Sequence, residues 1–451
     1  MEDIDLISKI NPIHKFRDPI YGYIWLTDNE KNIIDQPIFQ RLRRIHQLAL
    51  TKYVYPTAEH SRFTHSLGVL QSATNIFLDL YKINKKTIYE IFGNADIIKT
   101  FKILRYVALL HDIGHLPFSH ATEKAFLGEG VGHEDIGKYI ISENRLIKET
   151  LEQDCERIQD ILPLLKGSPK SEYYYIKRFI SGEFDADRAD YLLRDSHICG
   201  VKYGLYDYLR YVGSFYLYKY DNDNYEFGIS SKNIHAIESF ILARHYYNIQ
   251  IPYHRTRVGY DIALEQFIKQ NVSRFSDISG ITVCDNKSEI DFEKFIYFDD
   301  YSIFEEIKKS HRENNLFGKI LMRNDRLHPV FDREVSDINK KEIGSLYSNY
   351  IDQLRNSQFV ENEDFFKYEK KLDIHKIPGF PDEKENGSSD KNYIVIDNGN
   401  NIGNLLDYSP IFRNLANTTI YLYRVYIISD KLEKAKKILY DLINPKNKFI
   451  K

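Results

Sequence analysis

The chain has 451 residues, 43% of them hydrophobic and 28% charged, and a formal net charge of −3. This composition is typical of a globular protein, and the length allows two or three domains or one large domain with appendages. A strongly basic nucleic-acid-binding protein is excluded, although a local basic groove for nucleic acid remains open without support. The three cysteines form no CxxC pair, which argues against a disulfide framework and against a thiolate zinc site.

The N-terminus lacks the apolar region of a signal peptide, and no apolar run approaches the ~18 residues of a membrane span. We therefore expect a cytoplasmic protein with no membrane partner.

Hydrophobic periodicity predicts a mainly α chain. Apolar positions near a 3.6-residue period predict a helix from Glu30 to about Leu50, with Asp28 as a candidate cap and a kink or break at Pro37. The same pattern predicts further helices over 61–82, 97–113, 134–150, 155–165, 186–197, 232–249 and 256–275.

Strand patterns are fewer. Residues 216–230 predict a β-hairpin with Asn and Asp at its turn, and the polar stretch 380–392 predicts a loop. After it, NYIVID and TTIYLYRVYII predict strands, and KLEKAKKILYDLI predicts a last helix. The expected architecture is mainly α, with a smaller α+β C-terminal region.

The stretch LLHDIGHLPFSH (109–120) carries the strongest chemical signal. His111 and Asp112 directly follow an apolar helix, and Gly114 and Pro117 predict that the helix ends there. At such an end the two side chains can converge on one ion, and imidazole with carboxylate suits Mn, Fe, Zn or Mg. An isolated His-Asp pair is also common without a metal.

Two distant segments strengthen the metal hypothesis. His65 follows Arg62 by three residues, so both lie on one helical face. Asp187, Tyr191 and Asp195 follow one another at four-residue spacing, with Arg188 alongside. In contrast, the pair of Asp190 and Arg194 has the i,i+4 spacing of a solvated helix face.

These residues resemble the HD-domain metal-dependent phosphohydrolases. The segments DPIYGYIWL, FQRLRRIHQLALTKYVYP, SRFTHSLGV, HDIGHLPFSH and DADRADYLLRDSHICGVKYG are similar, in this order, to the core of the deoxynucleoside-triphosphate triphosphohydrolases. The similarity is to the vertebrate enzymes with SAM and HD domains and to their bacterial relatives, over about 14–260 and more weakly over 393–427. The expected organisation is an N-terminal segment (1–50), an HD-domain helical core (51–275) and a C-terminal α+β region (276–451). The last region has no chemical motif, and its candidate roles are a lid, an oligomer contact or a partner surface.

The resemblance implies hydrolysis of dNTPs to deoxynucleoside and inorganic triphosphate. His65, His111, Asp112 and Asp187 would be the ligands of a divalent metal ion. His115 and His120 are candidate general acids, since imidazole titrates near neutral pH. His120 matches the family's catalytic histidine, Glu123 replaces an aspartate that orients it, and His133 matches a further active-site histidine.

The family's substrate contacts match other residues. Arg62 and Arg188 match phosphate contacts, and Arg188 replaces a lysine. Gln47 and Asp195 match residues that bind the 3′-hydroxyl. Tyr191 matches the aromatic residue that occupies the place of a 2′-hydroxyl.

A second nucleotide site is implied by Asp35, Gln40 and Arg43. They match residues that read the guanine of an activating GTP or dGTP between subunits, so the chain would form a homo-oligomer, a dimer or a tetramer. The alternative is that Asp35 caps a helix and Arg43 is a surface charge.

Two other functions stay open from the sequence. The chain could be an HD phosphatase or phosphodiesterase that acts on a nucleoside monophosphate, a cyclic nucleotide or an alarmone. It could also be a non-enzymatic scaffold or nucleic-acid-binding protein that retains the HD fold, which the complete metal set argues against.

Overall fold

The computed structural model describes residues 5–127, 130–155, 158–166, 174–219, 225–284, 287–374, 393–415 and 418–444. Its N-terminal and central helices are α1 (Leu6–Ile10), α2 (Asp28–Ile34), α3 (Pro37–Gln40), α4 (Arg62–Ile83), α5 (Lys85–Leu110), α6 (His120–Leu127), α7 (His133–Glu143), α8 (Arg145–Cys155), α9 (Leu162–Leu165), α10 (Tyr174–Ile180) and α11 (Ala186–Cys199). The remaining helices are α12 (Tyr208–Val212), α13 (Ile234–Gln250), α14 (Arg255–Gln270), α15 (Val272–Ser279), α16 (Phe292–Phe295), α17 (Asp300–Arg312), α18 (Leu316–Leu321), α19 (Lys340–Asn356), α20 (Leu405–Tyr408), α21 (Pro410–Leu415) and α22 (Leu432–Ile443).

The strands form four small sheets in the part of the chain that the structure describes. They are β1 (His14–Asp18), β2 (Gly22–Leu26), β3 (Phe215–Lys219), β4 (Tyr225–Ser230), β5 (Ile281–Cys284), β6 (Lys287–Ile290), β7 (His328–Ser336), β8 (Phe365–Asp373), β9 (Ile394–Asp397), β10 (Asn400–Asn404) and β11 (Thr419–Ile427). The hairpins β1–β2 and β5–β6 stand alone, and the larger sheets have the orders β10-β9-β4-β3 and β7-β11-β8. The predicted class, a helical core with a smaller α+β region, is confirmed.

The break predicted at Pro37 is confirmed, but the predicted continuation of the helix to Leu50 is wrong. Pro37 starts α3, and the residue before it, Gln36, is extended, because a proline disfavours helical backbone in its predecessor. Two 3-10 turns, Arg41–Arg44 and Ala49–Tyr53, replace the rest. The cap of α2 is Thr27 rather than Asp28, since Thr27 accepts a hydrogen bond from the amide of Glu30.

The hairpin predicted at 216–230 is confirmed as β3–β4, and the two predicted C-terminal strands are β9 and β11. Strand β9 pairs in parallel with β4, in the register Gly228 with Ile394. A continuous apolar core runs from Leu6 to Tyr426, so segments from all three predicted domains share it. The domain boundaries themselves stay predictions.

The sheet β7-β11-β8 has a hydrophobic core of its own. Helices α19 and α22 pack on it, and side chains such as Phe331, Tyr350 and Val425 fill the space between. The loop predicted at 380–392 lies outside the described residues. Among the helices that the structure describes, none has the length and apolarity needed to cross a bilayer.

Helix α4 lies at the centre of the HD region and packs against both α5 and α11. Gly68 allows the contact with α11, because a Cβ there would lie 1.9 Å from Asp190 Oδ1 and 2.3 Å from Arg194 Nη2. The absence of a side chain at this position therefore brings His65, one turn earlier on α4, next to α11.

Replacing Gly68 by alanine is expected to lower the free energy of unfolding by about 1–3 kcal/mol or more, because the added methyl group overlaps a buried ion pair. Gly137→Ala is the matched control: it is also helical, its added Cβ would meet Ile113 at 3.6 Å, and it should be neutral or slightly stabilising. Urea unfolding of both variants measures the difference. Equal stabilities would contradict the proposed close packing at Gly68.

Candidate metal centre and active site

Three of the four predicted metal ligands come from three different helices. His65 lies in the first turn of α4, His111 caps the C-terminus of α5, and Asp187 lies in the first turn of α11. One donor atom from each lies within 4.8 Å of the others, and His65 Nε2 is 3.0 Å from Asp187 Oδ1. The structure thus gathers residues that are far apart in the sequence.

Asp112, the fourth predicted ligand, is adjacent to two of these three residues, although its donor atoms group with those of His115 and His133. Its Oδ1 is 3.3 Å from His111 Nε2, and its Oδ2 is 3.8 Å from His65 Nε2. The guanidinium of Arg62 also pairs with Oδ2. Burial opposes the ionisation of Asp112, but Arg62 and the nearby imidazoles outweigh it and hold the pKa of this carboxyl well below its usual range.

The remaining contacts of the two imidazoles fix their orientation. His65 Nδ1 is 2.8 Å from Asp190 Oδ2, and His111 Nδ1 is 2.8 Å from the carbonyl oxygen of Ala108. In both rings Nε2 therefore faces the carboxylates, and a carboxylate or carbonyl on the other ring nitrogen is the usual support of a metal-binding histidine. His111 Nε2 is buried and has no hydrogen-bond partner among the residues that the structure describes.

The electrostatics also favour a cation there. Burial alone would lower the pKa of His65, but its hydrogen bonds to Asp187 and Asp190 prevail and raise that pKa to about 10. This carboxylate-rich site with an unsatisfied imidazole nitrogen fits a divalent metal ion of the kind that binds nitrogen and oxygen donors.

A second cluster adjoins the first through Asp112. His115 Nε2 is 3.1 Å from Asp112 Oδ1, and the ring of His115 stacks on that of His133 with centroids 3.7 Å apart. Glu123 Oε1 is 2.9 Å from His115 Nδ1 and 3.1 Å from His133 Nδ1. The sequence predicts that Glu123 orients His120. Glu123 instead contacts His115 and His133, and the side chain of His120 lies outside what the structure describes.

The two stacked imidazoles differ in protonation. Burial, Arg62 and His133 lower the pKa of His115 to about 3, despite its contact with Asp112. Burial also lowers the pKa of His133, but the hydrogen bond with Glu123 outweighs burial and raises it above its ordinary value. His115 is therefore a neutral imidazole, and His133 carries a proton more readily.

The two predicted phosphate-binding arginines both contact carboxylates. Arg62 pairs with Asp112, and its Nε donates to Ser119 Oγ at 2.7 Å. Arg188 pairs with Asp185, the N-cap of α11, and also donates to the carbonyl of Gly182. Arg62 is buried and Arg188 is half-buried, and both cations are already paired with carboxylates near the donor cluster formed by His65, His111, Asp112 and Asp187.

Of the predicted sugar-binding residues, Asp195 is buried, and Gln47 and Tyr191 are half-buried. Asp195 Oδ1 is 2.7 Å from His60 Nε2, and the hydroxyl of Tyr247 donates to Asp195 Oδ2. The ring of Tyr191 lies 5.2 Å from that of Tyr247. The backbone amide of Gln47 donates to the backbone carbonyl of His60 at 2.9 Å, so His60 contacts both Gln47 and Asp195.

The predicted activator residues lie together at the surface. Arg43 Nε donates to Gln40 Oε1 at 2.7 Å, and its guanidinium lies 3.5 Å from the ring centre of Phe63. Asp35 is the C-cap residue of α2 and pairs with Lys31. The side chains of Gln40 and Arg43 are thus in contact, while Asp35 is engaged by a lysine of its own helix.

The interpretation of Asp190 and Arg194 as a solvated pair is wrong. Both are buried, Arg194 binds Asp190 through two nitrogens at 2.9 Å, and its Nη1 donates to Asp18 at 2.7 Å. Asp190 in turn supports His65. Its spacing of three residues from Asp187, which places both on one face of α11, is the signal that could have revealed this role. For His60 and Tyr247 the sequence offers no comparable signal.

Comparisons with known proteins match the region of the chain that contains this site. The family model described as "HD domain" matches residues 62–195. An uncharacterized protein of Methanocaldococcus jannaschii is 30% identical over 437 residues, which cover 96% of this chain and 83% of that protein. A solved structure of a hypothetical protein from Aquifex aeolicus matches with a TM-score of 0.75 and 26% identity, over 95% of this chain and 100% of that one.

The Dictyostelium discoideum homologue of the deoxynucleoside triphosphate triphosphohydrolase SAMHD1 is 35% identical over 195 residues. The match covers 41% of this chain and only 36% of that relative. The chain belongs to the HD-domain family, and its class is that of an HD-domain phosphohydrolase.

Proposed function

We propose that the protein is a metal-dependent triphosphohydrolase that converts dNTPs to deoxynucleoside and inorganic triphosphate. The observation that carries the proposal is the position of Tyr191 and Asp195 on α11, one and two turns after Asp187. An aromatic ring and a buried carboxylate on the same helix as Asp187 would suit the recognition of a deoxyribose. The similarity to a relative that is named as a dNTP triphosphohydrolase supports the same substrate class.

We propose that His65, His111, Asp112 and Asp187 hold one divalent ion, Mn, Fe, Mg or Zn. Such an ion would polarise a phosphate oxygen and lower the pKa of a water molecule. The protein's part is to keep each Nε2 directed at the carboxylates, which Asp190 and the Ala108 carbonyl do through the opposite ring nitrogens.

Proton transfer is assigned to the second cluster. His120 begins α6, and we propose it as the general acid for the leaving 5′-oxygen. Glu123 holds the Nδ1 atoms of His115 and His133. The more basic His133 can carry a proton near neutral pH, whereas the low pKa of His115 makes it a weak base, so no proton-transfer step is assigned to His115. Arg62 and Arg188 would supply positive charge for the triphosphate.

Product analysis tests the proposal. The metal-reconstituted protein is incubated with each dNTP, alone and mixed with GTP, and the products are separated. Deoxynucleoside and inorganic triphosphate are the expected pair. Release of orthophosphate or pyrophosphate, or hydrolysis only of monophosphates, cyclic nucleotides or alarmones, would instead support the other HD phosphatase or phosphodiesterase activities.

We propose further that Asp35, Gln40 and Arg43 bind an activating GTP or dGTP between subunits of a dimer or tetramer. Light scattering with and without GTP should then show a GTP-dependent increase in mass, and Arg43→Ala should abolish it. An unchanged mass together with GTP-independent hydrolysis would contradict the activator site.

Tyr191→Ala is expected to lower the preference for dGTP over GTP by at least about tenfold, because removal of the ring opens the space of a 2′-hydroxyl. Tyr191→Phe keeps the ring and should keep the preference. The ratio of kcat/KM for the two nucleotides is the measurement. Equal ratios in wild type and Tyr191→Ala would refute the role of this ring.

A further inference from the structure

The segment that joins His115 to α6 has an unusual backbone. Phe118 and Ser119 are consecutive non-glycine residues with left-handed conformations, both with φ of 54°. L-amino acids rarely adopt this conformation, and it persists where surrounding contacts over-determine it. The segment ends at His120, so its shape sets the positions of the histidines at both of its ends.

One of these contacts comes from Arg41, in the 3-10 turn near the N-terminus. Its Nη2 donates to the carbonyl of His115 at 2.6 Å, and its Nε donates to the carbonyl of Phe298 at 2.8 Å. The guanidinium lies 3.9 Å from the ring centre of Phe295, and the side chain is fully buried. Arg41 therefore ties the backbone of His115 to the residues that precede α17.

The other contact comes from Asp300, the first residue of α17. Its Oδ1 accepts from the amide of Phe118 at 2.7 Å. Its Oδ2 accepts from the amide of His46 at 2.9 Å and contacts the ring of the same histidine. Asp300 is fully buried, and the ring of Phe118 packs edge-on against Phe304 of α17, 5.2 Å between centres.

We propose that Arg41 and Asp300 are positioning residues that hold His115–Ser119 in the conformation needed for hydrolysis. Both lie outside the residues matched by the HD-domain model, so the catalytic segment depends on chain before and after the HD domain. The inference rests on the proposed function for its kinetic part only. Neither residue touches the donor cluster of the metal site, and their loss should leave metal binding intact.

Arg44 provides a matched control for Arg41. It lies in the same 3-10 turn, pairs with Asp299 and donates to the carbonyl of Ile296. Like Arg41, it joins the 3-10 turn to the residues that precede α17, but it does not contact His115. Arg41→Met is expected to lower kcat by about 10²-fold, because a displacement of about 1 Å suffices for such a loss. KM should stay within about twofold and metal content should not change, while Arg44→Met should lower kcat by no more than about threefold.

Asp300 allows a rescue experiment. Asp300→Ala removes the acceptor of both the Phe118 amide and the His46 amide, whereas Asp300→Asn retains one acceptor oxygen for these two donors. Asn should therefore restore part of the kcat that Ala loses. Hydrogen–deuterium exchange of a peptide spanning 113–122 should be faster in Asp300→Ala than in wild type, intermediate in Asp300→Asn and close to wild type in Arg44→Met.

Two results would overturn the inference: equal losses of kcat in Arg41→Met and Arg44→Met, or unchanged exchange at 113–122 in Asp300→Ala. The exchange measurement needs no substrate, so it decides the matter even if the wild type cleaves no dNTP. If the wild type cleaves no dNTP, the comparison of kcat between Arg41→Met and Arg44→Met is repeated with p-nitrophenyl phosphate esters. Absence of triphosphate release from the wild type would count against the proposed function alone.

Discussion

Replacement of His111 by alanine is expected to abolish binding of the proposed divalent metal ion and to lower kcat/KM by about 10³-fold. A Lewis acid contributes several kcal/mol to such a reaction, and each 1.4 kcal/mol is tenfold in rate. The reason lies in the buried Nε2 of His111, which has no hydrogen-bond partner among the described residues and faces Asp112 at 3.3 Å. Metal content by inductively coupled plasma mass spectrometry and kcat/KM are the two measurements.

His197→Ala serves as the control, because this histidine is exposed on the same helix as Asp187. It should retain metal content and activity. If His111→Ala keeps its metal and its rate, His111 is not a ligand. If it keeps the metal but loses activity, His111 acts on the substrate instead, and the proposed ligand set must change.

The four candidate metal ligands could be chosen from the sequence because the segments around them resemble those of the HD-domain phosphohydrolases. His111 and Asp112 follow an apolar helix and precede Gly114, which predicts a helix end there, and α5 does end at Leu110. His65 and Asp187 each lie in the first turn of a helix that periodicity predicts. These local patterns place the candidates on helices, and the resemblance is what selects them as ligands.

Supporting residues could not be found in the same way. Burial of Asp190 and Arg194 depends on the close approach of α4 at Gly68, which is a tertiary contact. Arg41 and its partner His115 are 74 positions apart in the sequence, and Asp300 and its partner Phe118 are 182 positions apart. Periodicity reports which face of a helix is apolar, but it does not report which distant helix covers that face.

The C-terminal sheet shows the same limit. The strand patterns of β9 and β11 are clear in the sequence, yet β9 pairs in parallel with β4 across more than 160 residues, as the bond between Ser231 and Asp397 also reflects. The predicted separation at 276 gave no reason to expect it. Pairing partners depend on the whole topology, whereas strand formation depends on local composition.

Asp190→Ala is expected to be the most destabilising single change near the site. Among the described residues it leaves Asp18 as the one carboxylate paired with the buried Arg194, and it removes the support of His65 Nδ1. Removal of one member of a buried ion pair typically costs about 3–5 kcal/mol, and loss of a group that supports a metal ligand weakens metal binding by about 10–100-fold. Urea unfolding of the metal-free protein and metal titration against a chelator measure the two effects separately.

Glu265→Ala is the control for the loss of an i,i+4 ion pair without burial. Glu265 and Lys269 form such a pair on α14, and it is partly exposed. Pairs of that kind contribute about 0–1 kcal/mol. An Asp190→Ala variant no less stable than Glu265→Ala, with unchanged metal affinity, would contradict the role assigned to Asp190.

The contribution of Asp190 should also depend on pH in a defined direction. Burial raises the pKa of this carboxyl, but Arg194 and His65 outweigh burial and lower it to about 2, from an ordinary 3.8. The ionised carboxylate therefore stabilises the folded state above pH 4, and this contribution is lost as the pH falls from about 4 toward 2. The difference in unfolding free energy between wild type and Asp190→Asn should shrink over that interval, and a difference that stays constant from pH 5 to pH 3 would rule out an ionised Asp190 as its source.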